Sequence, residues 1–307
     1  MKYPSSITLC EVGLRDGLQN EPVILSTEQK TELLLELAEA GFKVIEVGSF
    51  MSPKAVPQMA NTDEVCRAVG ALPGVELRAL IPNQRGVERA AACGCKKVKL
   101  NVSASRMHNL KNLNRTPEES VAGFAPAVEA ALQADVAVSG SISMPFASPW
   151  EGRTPVSDVD SIIEAYLAVG IREISLSDTS GMAIPSEVHA LCAHVLEKYP
   201  QCSWWMHFHN TRGLAMANII AAMDAGMTQF DSSFGGLGGC PFVPGAAGNI
   251  STEDVLHLCE EEGIETGIDI TKVIELSRKL RTLVGHSLDS YVLRAGRSRD
   301  LLASRSE

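Results

Sequence analysis

This 307-residue sequence lacks long apolar runs, clusters of basic residues and cysteine pairs with C-x-x-C spacing. No uncharged stretch reaches the roughly 20 apolar residues that a membrane helix needs, so we expect no membrane-spanning segment. The net charge is −10 and the lysines and arginines are scattered, which argues against a nucleic-acid-binding surface. With 45% hydrophobic residues, the composition instead favours a chain with a large core that acts on small molecules.

The cysteines lack the C-x-x-C spacing of redox motifs and metal sites. The eight of them lie mostly within apolar runs, where a free thiol behaves as a small buried hydrophobe, at positions 10, 66, 93, 95, 192, 202, 240 and 259. Residues 1–5 lead directly into an apolar strand, so we expect no signal or transit peptide. These features together predict a cytoplasmic protein.

Apolar segments of strand length alternate with amphipathic helical segments along the chain. Strands are predicted at residues 7–10, 43–47, 75–80, 97–101, 136–142, 173–176, 203–208 and 229–232. Helices are predicted at residues 26–40, 62–69, 84–92, 117–134, 156–169, 185–198, 213–225 and 251–262. Eight strand–helix units predict an α/β fold of the (β/α)8 TIM-barrel type. An open doubly wound sheet is disfavoured because no Gly-x-Gly-x-x-Gly motif opens the first helix.

The residues beyond the eighth unit predict additional C-terminal helices at 270–283 and 288–302, packed on or over the barrel. No linker rich in proline, glycine or serine separates them from the preceding segment. We therefore expect one domain over residues 1–307, with the barrel over about 1–265 and the C-terminal helices over 266–307. A barrel with such added helices is also expected to form a homo-oligomer.

The first strand ends in a polar run, Glu11 to Asn20, that contains an arginine, an aspartate and two glycines. A strand with a polar tip of this kind has a chemical rather than a packing role. Asp16 offers a carboxylate, and Arg15 beside it can neutralise an oxyanion or a substrate carboxylate. Gly13 and Gly17 allow the backbone to approach a ligand closely.

The seventh strand ends in His207 and His209, which face the same side because residues two apart share one face of a strand. Two imidazoles with this spacing at the mouth of a barrel, together with Asp16, indicate a divalent metal site. Mixed nitrogen and oxygen ligands suit Mg²⁺, Mn²⁺ or Zn²⁺. The role of another histidine, His108, stays open at this point.

A glycine-rich segment follows the eighth strand and leads to Cys240 and Asn249. Its glycines predict a mobile loop that carries the thiol over the mouth, and the alternative is a long turn with an incidental cysteine. The carbonyl oxygen of Asn249 is a further candidate metal ligand. Glu46 and Asp178, each at a strand end, either orient a ligand or cap the following helix.

These motifs together resemble the 3-hydroxy-3-methylglutaryl-CoA lyase family of metal-dependent TIM-barrel lyases. The similar segments span nearly the whole chain, at residues 11–20, 49–59, 178–179, 207–210, 235–241, 248–249 and 252–254. Leu18 is typical of the lyases, since the related Claisen synthases usually have Gly-Glu-Gln there and carry a regulatory domain for which this chain has no length. The resemblance implies cleavage of 3-hydroxy-3-methylglutaryl-CoA to acetyl-CoA and acetoacetate by a retro-Claisen (retro-aldol) step.

The resemblance also implies a role for each matching residue. The implied ligands of a divalent cation, Mg²⁺ or Mn²⁺ before Zn²⁺, are Asp16, His207, His209 and Asn249. The implied catalytic residues are Arg15, His207, Cys240 and Asp178. The residues implied to brace the metal shell or to contact the acyl-CoA thioester are Glu46, Gln19 and Ser49. In this scheme Arg15 stabilises the enolate of the leaving thioester and Cys240 assists proton transfer. The candidate base is His207 or a water next to the metal.

Two segments depart from the family pattern. The family usually has Cys-Ala-Leu-Gly-Cys-Pro-Tyr-Glu-Gly after the fifth strand, where residues 144–152 read Met-Pro-Phe-Ala-Ser-Pro-Trp-Glu-Gly. After the fourth strand, Arg106 stands where glutamate is usual. Both segments are expected beside the acyl group, so another branched 3-hydroxyacyl-CoA, such as a citramalyl-CoA-like thioester, is an alternative substrate. Further alternatives are a Claisen synthase and a barrel without catalysis that serves as a binding protein.

Overall fold

A computed structural model describes residues 2–239 and 248–303, with ten strands in that part of the chain. The strands are β1 (Thr8–Glu11), β2 (Val44–Ser49), β3 (Glu76–Ile81), β4 (Lys97–Ser103), β5 (Ala137–Ser143), β6 (Ala147–Ser148), β7 (Gly152–Arg153), β8 (Glu173–Asp178), β9 (Ser203–Phe208) and β10 (Gln229–Ser232). Eight of them close into a barrel in the order β1-β10-β9-β8-β5-β4-β3-β2, and β6 pairs with β7 as a short antiparallel hairpin. Every barrel pairing is parallel, so the predicted (β/α)8 barrel is confirmed.

Helices connect each barrel strand to the next and continue past the last one. They are α1 (Thr27–Glu39), α2 (Thr62–Val69), α3 (Gln84–Ala92), α4 (Arg106–Leu113), α5 (Pro117–Ala122), α6 (Phe124–Gln133), α7 (Val156–Ala168), α8 (Pro185–Lys198), α9 (Ala215–Asp224), α10 (Thr252–Glu262), α11 (Ile270–Val284), α12 (Tyr291–Ala295) and α13 (Ser298–Ala303). A π-helical turn at Gly13–Gly17 is followed by a 3-10 turn at Leu18–Asn20, and further 3-10 turns lie at Pro57–Met59 and Phe234–Gly236.

Helix α1 illustrates how local sequence and burial build the outer ring. Ser26 accepts a hydrogen bond from the backbone of Gln29, whose side chain accepts one from the backbone of Ser26, and this capping box starts the helix. Leu33, Leu34 and Leu37 repeat at helical spacing and are fully buried against the barrel. Burial of each such leucine contributes about 1.5–3 kcal/mol.

Two of the predicted helices need correction because each is interrupted. The segment 117–134 forms α5 and α6 rather than one helix. Pro126 has no N–H to donate to the carbonyl of Ala122, and its ring would clash within a continuous helix. The segment 288–302 forms the two short helices α12 and α13, which Gly296 separates with a φ of 80°.

The amino-terminal end of the barrel interior is filled by paired charges. Arg78 lies 2.5 Å from Glu76 and 2.9 Å from Glu173, and Lys97 lies 3.0 Å and 2.6 Å from the same two carboxylates. The guanidinium of Arg78 also stacks 4.3 Å from the ring centre of Trp205. This end of the barrel is therefore packed, and the cavity described below lies at the opposite, carboxyl end of the strands.

The predicted C-terminal helices are present and attach to the barrel. Asp254 of α10 accepts hydrogen bonds from the backbone of Tyr291 at 3.1 Å and of Val292 at 2.8 Å. Lys279 of α11 lies 2.8 Å from Glu36 of α1. The division of the chain at about residue 265 stays a prediction. Within the described residues, no helix has both the length and the apolar surface needed to cross a membrane.

Glu173→Ala is expected to lower the free energy of unfolding by about 3 kcal/mol, because Arg78 and Lys97 would stay buried with one carboxylate partner fewer. Urea denaturation followed by circular dichroism measures this change. The matched control is Glu118→Ala, which removes an exposed ion pair and is expected to cost less than about 1 kcal/mol. Equally small losses in the two variants would contradict a stabilising role for the interior network.

Candidate metal centre at the barrel mouth

A tight turn after β1 brings Arg15 and Asp16 over the barrel mouth. The carbonyl oxygen of Val12 accepts hydrogen bonds from the backbone N–H groups of residues 15, 16 and 17, at 3.1, 2.7 and 3.2 Å. Glycine is required at position 13, since a Cβ on Gly13 would lie 2.5 Å from the ring of Phe234. The sequence predicts that Gly13 lets the backbone approach a ligand. In the structure, Gly13 instead lets the backbone approach the ring of Phe234.

Glu11 joins this turn to the segment that follows β10. Its fully buried carboxylate accepts hydrogen bonds from the backbone of Gly13 at 2.7 Å, from the backbone of Phe234 at 3.0 Å and from the hydroxyl of Thr252 at 2.7 Å. Burial raises the pKa of Glu11 to about 8, although these hydrogen bonds act in the opposite direction. The turn that carries Asp16 is thus held in place by residues from the beginning of the chain and by residues that follow β10.

The structure brings Asp16, His207 and His209 together. Oδ2 of Asp16 lies 3.7 Å from Nε2 of His207 and 3.6 Å from Nε2 of His209. One candidate ligand atom from each of the three buried residues lies within 4.8 Å of the other two. A carboxylate oxygen and two imidazole nitrogens that converge in this way fit a divalent cation.

Asn249 adds a fourth donor to this group. It forms an isolated backbone bridge with His209, and its amide N–H group donates to Asp16 at 2.8 Å and to the carbonyl of Leu237 at 3.0 Å. The buried carbonyl oxygen of the Asn249 side chain has no hydrogen-bond partner among the described residues. Because this amide oxygen lies next to a carboxylate and two imidazoles and accepts no hydrogen bond, it is suited to be the fourth ligand of a divalent cation.

Asp231 lies behind His207, with Oδ2 3.1 Å from Nδ1 of the imidazole. This contact favours a proton on Nδ1 and turns Nε2 toward Asp16. Burial alone would raise the pKa of Asp231, but Lys99 and His207 outweigh it and hold the pKa well below the usual range. Asp231 was not among the site residues predicted from the sequence, although strand alternation places it on the same inward face as Gln229.

Glu46 holds Arg15 rather than a metal ligand. Its Oε2 accepts hydrogen bonds from Nε of Arg15 at 2.9 Å and from Nη2 at 2.7 Å, and Nη1 of Arg15 donates to Asp16. Burial alone would raise the pKa of Asp16, but Arg15 together with His207 and His209 outweighs it and lowers the pKa to about 2. Asp16 is therefore ionised at neutral pH and suited to bind a cation.

A cavity of about 240 Å³ opens beside this cluster. One face of it is apolar and comes from β3, from α4 and from the segment after β2, with Met51, Val56, Leu80, Ile81 and Leu113. A second face is polar and comes from β4, β5 and β8, with Lys99, Asn101, Ser141, Ser143 and Ser177. The site can therefore hold a cation at Asp16, His207 and His209 and an anionic group of a ligand near Arg15 or Lys99. The apolar face can contact an apolar part of the same ligand.

The remaining predicted site residues take different positions. Gln19 lines the cavity and donates to Asp16 at 2.8 Å. Ser49 is buried on β2 outside the residues that line the cavity, and its hydroxyl has no hydrogen-bond partner within residues 2–239 and 248–303. Cys240 lies outside the described residues.

Asp178 lies beside the mouth but does not line the cavity. Its two carboxylate oxygens accept hydrogen bonds from the backbone of Met182 and of Ala183, both at 3.1 Å. Burial raises the pKa of Asp178, although the same hydrogen bonds act in the opposite direction. Of the two roles that the sequence allows for this carboxylate, the geometry favours closing the turn ahead of α8.

The two segments that depart from the family pattern were expected beside the acyl group, but neither Arg106 nor residues 144–152 line the cavity. Arg106 is exposed and pairs with Glu118, and β6 and β7 fold the segment 144–152 into its own hairpin. The unpredicted helix α4 instead places His108 in the cavity wall, where its ring stacks on Trp150 with the ring centres 6.1 Å apart. Ser105 starts this helix by accepting a hydrogen bond from the backbone of His108.

Comparison with known proteins agrees with this geometry. The model of the family described as HMGL-like matches residues 6–280. The chain belongs to the HMGL-like family. The hydroxymethylglutaryl-CoA lyase of Bacillus subtilis is 38% identical over 298 residues, which cover 97% of this chain and 100% of that protein. The (R)-citramalyl-CoA lyase of Chloroflexus aurantiacus is 39% identical over 301 residues, which cover 95% of each chain.

The fold is also similar to that of a solved structure. The HMG-CoA lyase from Acinetobacter baumannii, in complex with coenzyme A and 3-methylmalate, superposes with a TM-score of 0.93 at 43% identity, over 98% of both chains. The prediction of a barrel enzyme of the hydroxymethylglutaryl-CoA lyase kind, a carbon–carbon lyase, is confirmed at the level of the family.

In the HMGL-like chain, Asp231→Asn is expected to weaken Mn²⁺ binding about 10- to 100-fold, because a neutral amide no longer orients and polarises His207. Isothermal titration of the metal-free protein measures the dissociation constant. The matched control is Asp160→Asn, which also faces a histidine, His194 at 3.0 Å, but lies on the outer helix α7 and is expected to leave the affinity unchanged. Equal affinities of the two variants would refute the role of Asp231.

His108 is expected to make the stability of this HMGL-like protein depend on pH. Burial lowers the pKa of His108 from 6.5 to about 4, with Glu151 acting in the opposite direction. Below pH 6.5 the unfolded chain takes up a proton that the folded chain does not, so the free energy of unfolding falls until the folded pKa is reached. Between pH 7.5 and 5.0 the wild type should lose about 2 kcal/mol more than His108→Gln in urea denaturation. Parallel losses in both proteins would contradict this expectation.

Proposed function

We propose that this protein cleaves 3-hydroxy-3-methylglutaryl-CoA to acetyl-CoA and acetoacetate with the help of a divalent cation, Mg²⁺ or Mn²⁺. The observation that carries the proposal is the cluster of Asp16, His207 and His209 at the cavity, with the guanidinium of Arg15 beside it. The HMGL-like relative from Bacillus subtilis, which is named for this activity, supports the same substrate.

The reaction requires that the substrate hydroxyl lose its proton while the leaving carbon becomes an enolate. A cation bound at the cluster would lower the pKa of that hydroxyl, whose alkoxide is otherwise inaccessible at neutral pH. The residues that would hold the cation are Asp16, His207, His209 and Asn249. Asp16 contributes the negative charge of this set.

Arg15 stabilises the negative charge that develops on the thioester oxygen. Its guanidinium is fixed before the substrate arrives, because Glu46 accepts hydrogen bonds from two of its nitrogens. Burial alone would lower the pKa of Arg15, but Asp16 and Glu46 outweigh it and raise the pKa, so the group stays a cation. A donor held in place in this way needs no reorganisation during the reaction.

His207 serves this reaction as a ligand and not as the base. Its Nδ1 faces Asp231 at 3.1 Å, so only Nε2 is directed to Asp16 and the cavity. One nitrogen cannot hold a cation and accept the hydroxyl proton at the same time. A water next to the cation site would therefore accept that proton. Cys240 returns a proton to the enolate in this proposal, as the family resemblance implies.

The CoA arm leaves the cavity along its apolar face. Met51, Val56 and Leu113 provide an apolar surface there. The structural neighbour from Acinetobacter baumannii was solved with coenzyme A, which supports an acyl-CoA substrate. We place the reaction in the cytoplasm. Homo-oligomerisation stays a prediction, and light scattering coupled to size-exclusion chromatography tests it.

A citramalyl-CoA-like thioester is the second candidate substrate. The relative from Chloroflexus aurantiacus, at 39% identity, is named for that activity. A cavity that holds a cation site next to Arg15 also suits the shorter carboxylate arm of such a thioester, which lies directly on the carbon that bears the hydroxyl. Parallel assays of the two thioesters decide between them.

Arg15→Met is expected to lower kcat on 3-hydroxy-3-methylglutaryl-CoA about 10²- to 10³-fold, because the donor to the developing oxyanion is lost. Release of acetyl-CoA and acetoacetate in the presence of Mn²⁺ measures the rate. Asp16→Ala is expected to abolish both turnover and Mn²⁺ binding.

The matched control for Arg15→Met is Arg172→Met, at an exposed guanidinium that contacts the carbonyl of Gly170 near the amino end of β8. This variant should keep wild-type activity. Turnover that does not need a divalent cation, or that survives in Asp16→Ala, would overturn the proposed function.

A further inference from the structure

The polar face of the cavity is a continuous surface, here named the polar wall and defined by Lys99, Asn101, Ser141, Ser143 and Ser177. Strand register explains why these residues meet. Asn101 is the register partner of Ser141, and Ser143 is the partner of Ser177, so three neighbouring strands present small polar side chains at two successive levels of the barrel. The wall is built into the barrel and does not depend on a loop.

The side chains of the polar wall keep hydrogen-bonding capacity that a ligand can use. The hydroxyl of Ser143 donates to Oδ1 of Asn101 at 3.0 Å, and the hydroxyls of Ser141 and Ser177 lie 3.2 Å apart. A hydroxyl offers one donor and two acceptor positions, so each pair keeps unused acceptor capacity toward the cavity. A purely apolar substrate group would leave that capacity unused next to a dry surface.

Lys99 stands at the base of the wall with only 5% of its side chain exposed. Its ammonium lies 3.5 Å from both Glu46 and Asp231, beyond the usual range of about 2.7–3.2 Å for an N–H···O hydrogen bond. Oε1 of Glu46, the nearer oxygen of that residue, accepts no hydrogen bond from any described residue. The ammonium therefore faces the cavity with protons that no short contact uses.

We propose that the polar wall binds a neutral, hydroxyl-bearing substituent on carbon 3 of the acyl group, at the place of the methyl of 3-hydroxy-3-methylglutaryl-CoA. This inference rests on the proposed function. Carbon 3 carries four groups, and the cation site accounts for the hydroxyl and the carboxylate arm, while Arg15 and the mouth account for the thioester arm. The fourth group is left to the polar wall, whose strands β4 and β5 lie across the barrel from β1 and β10.

The charges favour a neutral group over a second carboxylate. Three carboxylates and two cations already meet at this end of the barrel, namely Asp16, Glu46, Asp231, Arg15 and Lys99. The charge of Lys99 is offset by the two carboxylates that flank it, so its ammonium offers hydrogen bonds without a net positive charge. With the divalent cation and the carboxylate arm of the substrate in place, these charges would balance. A hydroxyl uses the hydrogen bonds of Lys99 without changing that balance, whereas a second carboxylate would add an uncompensated charge in a buried space.

Three CoA thioesters that differ only in the group on carbon 3 test the proposal: methyl, hydroxymethyl and carboxylate. With Mn²⁺ and the wild-type protein, kcat/KM for the hydroxymethyl thioester is expected to exceed that for the methyl thioester at least about tenfold, with the carboxylate last. A site built to hydrogen-bond a hydroxyl discriminates strongly against its absence because the polar groups are then left unpaired.

Two variants locate the effect in the wall. Ser141→Ala and Lys99→Met are each expected to lower the hydroxymethyl-to-methyl ratio of kcat/KM at least about tenfold. The matched control is Lys97→Met, which removes a buried lysine two residues earlier on β4 that lies outside the cavity lining, and this variant should keep the wild-type ratio. The ratio compares two substrates on one preparation, so it does not depend on how much of a variant is folded.

Binding without metal gives a readout apart from turnover. In calorimetry with metal-free protein, 3-hydroxy-3-(hydroxymethyl)glutarate should bind more tightly than 3-hydroxy-3-methylglutarate, and Ser141→Ala should remove the difference. A methyl thioester that is turned over as well as the hydroxymethyl one, a preference for the carboxylate, or an unchanged ratio in both wall variants would overturn the proposal. If the wild type cleaves none of the three thioesters, the proposed function itself fails.

Discussion

Compensation of charge in a space closed to water is the constraint on which this site depends. Asp16, Glu46 and Asp231 are each nearly or fully buried, and such carboxylates persist only where cations or hydrogen bonds offset the cost of leaving water. Arg15 bridges two of them and Lys99 lies between two, so every carboxylate contacts a cation. The removal of one of these five side chains would leave the buried charge of another without its partner, so their contributions to stability depend on one another.

Much of the architecture follows from local pattern. The alternation of strand and helix and the absence of a dinucleotide-binding glycine motif were sufficient to predict the closed parallel barrel, and the spacing of His207 and His209 was sufficient to place two imidazoles on one face. The segment 117–134 was read as one helix because its apolar periodicity continues through Pro126. Periodicity describes which face is buried and carries no information on where a missing N–H interrupts the backbone.

The parts of the site that sequence reasoning missed are those that long-range packing decides. Asp231 and Lys99 lie inside short strands. The role of a charged residue in such a strand can be predicted only when its partner on another strand is known. Their partners, His207 and Glu46, are 24 and 53 residues away along the chain. The role of Glu46 as the holder of Arg15, and the place of Asp178 in a turn, likewise depend on three-dimensional contacts that a linear motif does not contain.

The pairing of β1 with β10 has a consequence for how the protein matures. Asp16 follows the first strand, whereas His207, His209 and Asn249 come from the last third of the chain, so the donor set does not exist until the barrel is closed. A cation that needs all of these donors binds the closed barrel in preference to any partly folded chain. Ion affinity and barrel closure are therefore thermodynamically linked, and during synthesis β1 can pair with β10 only after the seven other barrel strands have been made.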